Sequence, residues 1–217
     1  TVPDGQTWSG SMLLAIDTSA GTTVAVVDDD GIVRAEHNSF DTRKHAEVVG
    51  DFIHASLVEA GIAVTDLTGV VAGMGPGPFT GLRVGIVAAR AFAFGAKLPL
   101  LPVVTHDALA LGETAPVVIA TDARRKELYW STYEGSDVAG LPLRVAGPAL
   151  APAAELASSV PNFEHFALRD TEPVHASQLA RLAYLLLQND RPFAGEDALY
   201  LRSPDVTLSA GPKRVTS

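Results

Sequence analysis

The chain contains no cysteine. That excludes a disulfide framework, thiol nucleophiles and Cys-ligated zinc or iron–sulfur centres, and it fits the reducing cytoplasm in which we expect the protein to work. Basic side chains are in the minority, 16 against 25 acidic ones, for a net charge of −9. A chain so charged is poorly suited to hold nucleic acid alone by neutralising phosphates. No stretch reads as a membrane span. The best candidate, residues 84–104, contains Arg90, Lys97, Pro99 and Pro102 within the roughly 20 residues a span needs. Residues 1–11 are polar and lack the apolar core of a signal peptide, so Met12 reads as the start of the folded part.

Catalytic signatures are also missing. There is no Gly-x-Ser-x-Gly elbow, and serines such as Ser19 and Ser131 have no base nearby in the sequence. The six histidines are His37, His45, His54, His106, His165 and His175, and none lies within four residues of another. The helical i, i+4 pair that binds zinc or iron is therefore absent. Four residues after His106, where a second ligand would stand, the chain has Ala110. No metal site is expected.

What is present centres on one stretch, Gly73-Met74-Gly75-Pro76-Gly77-Pro78-Phe79-Thr80-Gly81-Leu82-Arg83-Val84-Gly85. It follows the apolar run Val70-Val71-Ala72 and leads into an almost wholly apolar helix. A strand delivered through a Gly/Pro loop into a helix start can turn backbone amides toward a ligand or a neighbouring chain. The glycines Gly75, Gly77 and Gly81 permit close approach, and Pro76 and Pro78 stiffen the loop. Thr80 occupies the expected N-cap, one residue after Phe79.

Read in order, residues 12–16, 22–27 and 32–37 are strands, with Asp29-Asp30-Gly31 as a hairpin signal. Residues 42–60 are helical, with Ala46, Val49, Ile53, Leu57 and Ala60 on one stripe and Gly61 closing it. A short strand, the organising loop with its helix, a further strand at 100–104 and a short helix through Leu111 follow. Three strands, helix, strand, helix, strand, helix is the order of a ribonuclease H-like unit. The order then restarts. At an offset of about 105 residues, Ala15-Ile16-Asp17-Thr18 falls on Ala120-Thr121-Asp122-Ala123. Strands at 128–133 and 143–146, a short helix at 151–159, a strand at 163–168 and a terminal helix at 175–188 complete a weaker copy. The expected fold is α/β, built from duplicated ribonuclease H-like units as in actin, Hsp70 and the sugar kinases, with the second unit reduced. The first unit spans 12–112 and the second 113–205, with tails at 1–11 and 206–217; Lys213 and Arg214 belong to the second tail.

In that superfamily, strand-end acids grip the phosphates and magnesium of ATP. Asp17 with Thr18, and Asp122, are the candidates here, since magnesium prefers hard oxygen ligands. Strand-end aspartates also cap their own turns. The second loop carries Arg124-Arg125-Lys126 in place of glycine, and Arg124 could pair with Asp17 or Asp122 and fill the site. A degenerate nucleotide cleft is the expectation, with an ATPase or kinase as the alternative. The apolar helix has almost no polar face, and Gly81, Gly85 and Ala89 repeat at four-residue spacing. The first helix also carries off-stripe apolar residues at Val48, Phe52 and Val58. Surplus apolar surface on two neighbouring helices suggests a helical interface with another chain, and full burial within the monomer is the alternative.

Four segments together resemble the bacterial TsaB (YeaZ) family. They are Leu14-Ala15-Ile16-Asp17-Thr18-Ser19, the Gly75–Gly85 motif, Thr121-Asp122-Ala123-Arg124 with Glu127-Leu128-Tyr129-Trp130, and Tyr200-Leu201-Arg202. The family's usual loop has Ser where this chain has Pro78. The resemblance implies a part in making N6-threonylcarbamoyladenosine at position 37 of tRNAs that read codons beginning with A. It implies no chemistry of the chain's own. Such proteins are inactive relatives of the transferase TsaD, which has a His-x-x-x-His metal site where this chain has His106 and Ala110. By the same resemblance the partner is TsaD, or a second copy, held through the first two helices, and the ATPase TsaE joins that pair. Val49, Phe52, Ile53, Arg83, Val87, Ala91 and Phe94 would bear the partner. The chain would need no cofactor itself, ATP and metal belonging to the partner subunits, and would meet tRNA only through the complex. A metal-independent peptidase is a further alternative, against which the missing thiol counts.

Overall fold

The computed structural model describes residues 10–41, 43–170 and 173–202. Strands β1 (Met12–Asp17), β2 (Thr22–Asp28) and β3 (Val33–Ser39) form an antiparallel meander. Helix α1 (His45–Ala60) crosses to β4 (Gly69–Gly73), parallel to β1, and α2 (Phe79–Ala96) crosses to β5 (Leu100–Val103), parallel to β4. The sheet order β3-β2-β1-β4-β5 is that of the ribonuclease H-like unit expected from the sequence. Thr42, where the sequence pattern starts the first helix, lies outside the described residues; α1 opens at His45. It ends on left-handed Gly61, whose N–H returns to the carbonyls of Leu57 and Val58.

Short helix α3 (Thr105–Leu109) leads into the second unit. Strands β6 (Pro116–Asp122), β7 (Glu127–Ser136) and β8 (Pro142–Pro152) form another meander, and β9 (Ala167–Asp170) adds parallel to β6, giving the order β8-β7-β6-β9. Among the described residues the copy has four strands, so it is reduced as expected. Its details differ from the sequence pattern. β8 continues to Pro152 because Leu150 and Ala151 still pair with Tyr129 and Leu128, which leaves only α4 (Leu156–Ser159) of the expected helix at 151–159. Phe163–His165 is a single 3-10 turn behind left-handed Asn162, and the strand begins only at Ala167.

Helix α5 (Ala176–Gln188) packs on β1, β2 and β4 of the first sheet and on α3. Both faces of the first sheet are therefore covered, which is why β1 and β2 are apolar and buried almost throughout rather than alternating. Leu14, Ile16, Val24, Val26 and Val70 face α1 and α2. Leu13, Ala15, Ala25, Val27 and Val71 face the other way, into a core shared with α3, α5 and the inner face of the second sheet, Val117, Ile119 and Tyr133. After α5 the chain returns across the first unit. Ala194 N–H donates to the Pro102 carbonyl at 3.0 Å, Arg90 donates to the Glu196 carbonyl, and Leu199 N–H donates to the Met74 carbonyl at 2.9 Å.

Candidate functional site

Asp17 ends β1 with its side chain 1% exposed. Oδ1 accepts from Ser19 N–H at 2.7 Å and Ser19 Oγ at 2.5 Å, and Oδ2 accepts from Thr105 Oγ1 at 2.6 Å. Burial pushes this carboxyl above its ordinary range, while the bonds from Ser19 and Thr105 pull it down. Thr105 also ties the motif loop: its N–H donates to the Gly75 carbonyl at 2.8 Å, and Gly75 N–H donates to its Oγ1 at 3.2 Å. A Cβ on Gly73 would overlap the Asp17 carboxylate, and one on Gly77 would stand 2.8 Å from Ser19 Cα. The glycines let strand, hairpin and loop close on one another, so the Asp17 carboxylate is spent on the chain's own donors.

Thr18 is turned toward α2 rather than toward a ligand. Its Oγ1 donates to the Gly81 carbonyl at 2.7 Å and accepts from Gly85 N–H at 2.8 Å. The line of Gly81 and Gly85 thus receives Thr18 and the ring of buried His45, whose Nδ1 is 2.8 Å from Thr22 Oγ1. Thr80 is not the N-cap. Pro78, extended at φ −60 and ψ 134, precedes the helix, which opens at Phe79 with Leu82 N–H donating to the Pro78 carbonyl; Thr80 lies within the first turn. Proline's fixed φ suits that flanking place.

The acid at the end of β6 is different. Asp122 is half exposed, accepts Arg124 N–H at 2.8 Å and pairs with the Arg124 guanidinium at 3.7 Å. It caps its own turn. Its bonds are to Arg124, while those of Asp17 are to Ser19 and Thr105. An exposed pair of this kind contributes roughly 0–1 kcal/mol.

His106, wholly buried, is held between two hydroxyls of the second sheet, with Nδ1 2.8 Å from Ser131 Oγ and Nε2 2.9 Å from Thr121 Oγ1. Burial, helped by the Arg144 charge, lowers its pKa to about 3, so the ring is neutral. Ala110, one turn on, is fully buried in the shared core. Beside His106, Asp107 accepts from Tyr133 Oη at 2.7 Å and lies 3.6 Å from Arg144. Two consecutive residues of α3 thereby bolt the first unit to three strands of the second. Among the described residues no group of three His, Asp or Glu side chains could hold a metal ion.

The helix surfaces separate the remaining candidates. On α2, Arg83, Val87, Ala91 and Phe94 form an exposed stripe, with Val87 58% and Phe94 88% exposed. On α1, Phe52 and Ile53 are half-buried, partly covering the core beneath. Val49 does not belong to the face. It is 7% exposed and packs inward with Leu57 against Leu82 and Ile86, because its position on the helix points at the sheet. Val58, 65% exposed, is the apolar residue α1 does present. On length and composition α2 would also pass as a membrane-crossing helix, but Gly81, Leu82, Gly85, Ile86, Ala89 and Ala93 are buried against its own protein.

Sequence reasoning gave Glu127, Tyr200 and Arg202 no role. Tyr200 packs on the motif segment, its ring 4.7 Å from that of Phe79, over which Arg83 sits at 5.2 Å, and Arg202, two residues on, pairs with Glu127. The only signal was that these residues belong to the segments that carried the family resemblance.

A sequence model of the family described as TsaD, tRNA N6-adenosine threonylcarbamoyltransferase, matches residues 37–210. A Mycobacterium tuberculosis protein is 37% identical over 203 residues, covering 90% of this chain and 93% of the relative. The Escherichia coli tRNA threonylcarbamoyladenosine biosynthesis protein TsaB is 35% identical over 127 residues, 56% of this chain and 54% of that protein. The chain spans about half the length of that relative and of a Mycobacterium leprae one that it matches. YeaZ from Pseudomonas aeruginosa superposes with a TM-score of 0.69 at 26% identity, covering 89% of this chain and all of that one. The chain belongs to this TsaD-related family, within its TsaB (YeaZ) group.

Proposed function

We propose that the chain is a non-catalytic subunit in the formation of N6-threonylcarbamoyladenosine at position 37 of tRNAs reading ANN codons, and that it acts by binding and activating a TsaD-like transferase. The observation that carries the reading is the exposed stripe on α2, in which apolar Val87, Ala91 and Phe94 follow Arg83 along one face. Apolar side chains aligned in this way are a docking face. Two features of the cleft support a non-catalytic role: Asp17 already accepts from Ser19 and Thr105 of its own chain, and Ala110 stands one turn after His106. ATP and metal then belong to the transferase and to a TsaE-like ATPase that joins the pair in the cytoplasm, and tRNA is handled by the complex. Alone, the same face would support a homodimer.

Replacing Val87 and Ala91 by Glu tests the face. Both positions are exposed, so circular dichroism and melting temperature should stay near those of the unmodified chain. Desolvating two carboxylates against an apolar partner should weaken binding at least a hundredfold. A double variant that still co-elutes with the transferase at micromolar concentration would remove this assignment.

A further inference from the structure

The basic residues are unevenly placed. Five of the sixteen, Arg43, Lys44, Arg124, Arg125 and Lys126, stand in two loops, one before α1 and one between β6 and β7, and all five are exposed. These loops belong to different units but meet at one end of the molecule. His45, next to Lys44, lies against Gly81 in the first turn of α2. Phe79 in that turn stacks with Tyr200, and Arg202, two residues on, pairs with Glu127, which closes the 124–126 turn. Of the loops' own carboxylates, Asp41 pairs with Arg43 and Asp122 with Arg124.

The turn itself is unusual. Arg124, Arg125 and Lys126 have φ of 65, 57 and 62, three successive left-handed residues without a glycine. L-residues adopt that backbone at a cost, and such strain gathers where a chain presents something. Four hydrogen bonds hold it: Arg124 N–H to Asp122, Glu127 N–H to Arg124 O at 3.0 Å, Ala123 N–H to Glu127 O at 2.9 Å and Ala153 N–H to Lys126 O at 2.8 Å. The cationic stems therefore leave a fixed base. Beside them Phe79 and Tyr200 are more than a third exposed, so aromatic faces accompany the charge. Cations of fixed position with neighbouring aromatic faces suit a folded or looped RNA, whose phosphates take the charge and whose splayed bases stack.

We propose that the Arg43-Lys44 loop and the Arg124-Arg125-Lys126 turn form a contact for the phosphate backbone of RNA. The proposal rests on the function proposed above: the contact is made when the transferase complex holds its tRNA, which is how a chain of net charge −9 can contribute without binding RNA alone.

The test uses the assembled complex and a tRNA transcript reading an ANN codon, titrated at several salt concentrations. The triple variant Lys44→Gln, Arg125→Gln and Lys126→Gln should still co-elute with the transferase. Its complex should bind tRNA about tenfold more weakly, to a similar extent for tRNAs of different sequence, and the slope of log affinity against log salt should shrink by about 2. A control removes distant charge with Arg169→Gln and Arg181→Gln, and should leave both quantities unchanged. Equal affinity and slope for the triple variant overturns the proposal, as does an equal effect of the control. Failure of the variant to recruit the ATPase, with tRNA affinity intact, makes this an acidic-protein surface and also overturns it. If the unmodified chain fails to join the transferase, the partner reading itself falls.

Discussion

His106 sits between the Ser131 and Thr121 hydroxyls, and its burial, with the Arg144 charge nearby, disfavours a proton on both ring nitrogens. Its pKa near 3, against an ordinary value of 6.5, makes the folded state bind fewer protons than the unfolded one below pH 6.5. The stability it contributes is complete above about pH 6.5 and is lost as pH falls toward 3, at roughly 1.4 kcal/mol per pH unit. His45, whose pKa burial also lowers, adds in the same direction. Asp17 and Asp107, raised by burial, oppose it, because each takes up its proton in the folded chain at a higher pH than in the unfolded one. His106→Gln should therefore be less stable at pH 7.5 by about 1–3 kcal/mol, the scale of a disturbed buried hydrogen bond, yet flatter between pH 6.5 and 5. Denaturant melts across that range check it, and an unchanged acid limb would contradict the assignment of His106 as the buried neutral ring. None of this was legible in the sequence beyond the absence of a second ligand at Ala110. The partners of His106 lie 15 and 25 residues away, and Thr105 reaches Asp17 across 88.

At the scale of elements, the α2 line of Gly81, Gly85 and Ala89 was readable as a route for close approach, and what approaches is the hairpin after β1 at Gly85 and, at Gly81, that hairpin with the His45 ring that opens α1. A Cβ on Gly85 would overlap Thr18 Oγ1. Gly85→Ala alone should cost about 2–3 kcal/mol through that overlap, despite alanine's better helix propensity. Thr18→Ala loses two hydrogen bonds but vacates the space. The double variant should then be more stable than the sum of the singles by at least 1 kcal/mol. Additive losses in thermal or urea melts would mean that Thr18 does not set the distance between β1 and α2. The strong apolar runs at β1, β2, β4 and β5 and the spacing of α1 were legible because burial on both sides leaves few polar residues to confuse the pattern. Residues 151–168 were misread for the opposite reason. Half-exposed Ala, Pro and Ser fit strand, turn and short helix alike, and only pairing with β7 decides.

For the molecule as a whole, duplicated order and strand-end acids announced an actin-like cleft, and contacts between distant segments shape it. Asp17 is closed over by the motif loop, α3 fixes one unit to the other through His106 and Asp107, and the segment after α5 returns to Phe79 and Glu127. The exposed apolar stripe on α2 carries the central proposal, that the chain works by joining a transferase. The direct measurement is light-scattering chromatography of the chain alone and mixed with the TsaD-like transferase of the same organism, followed by tRNA modification with and without the TsaE-like ATPase and ATP. The account predicts a one-to-one complex that modifies tRNA only when all components are present. No complex, together with ATP hydrolysis by the isolated chain, would contradict it.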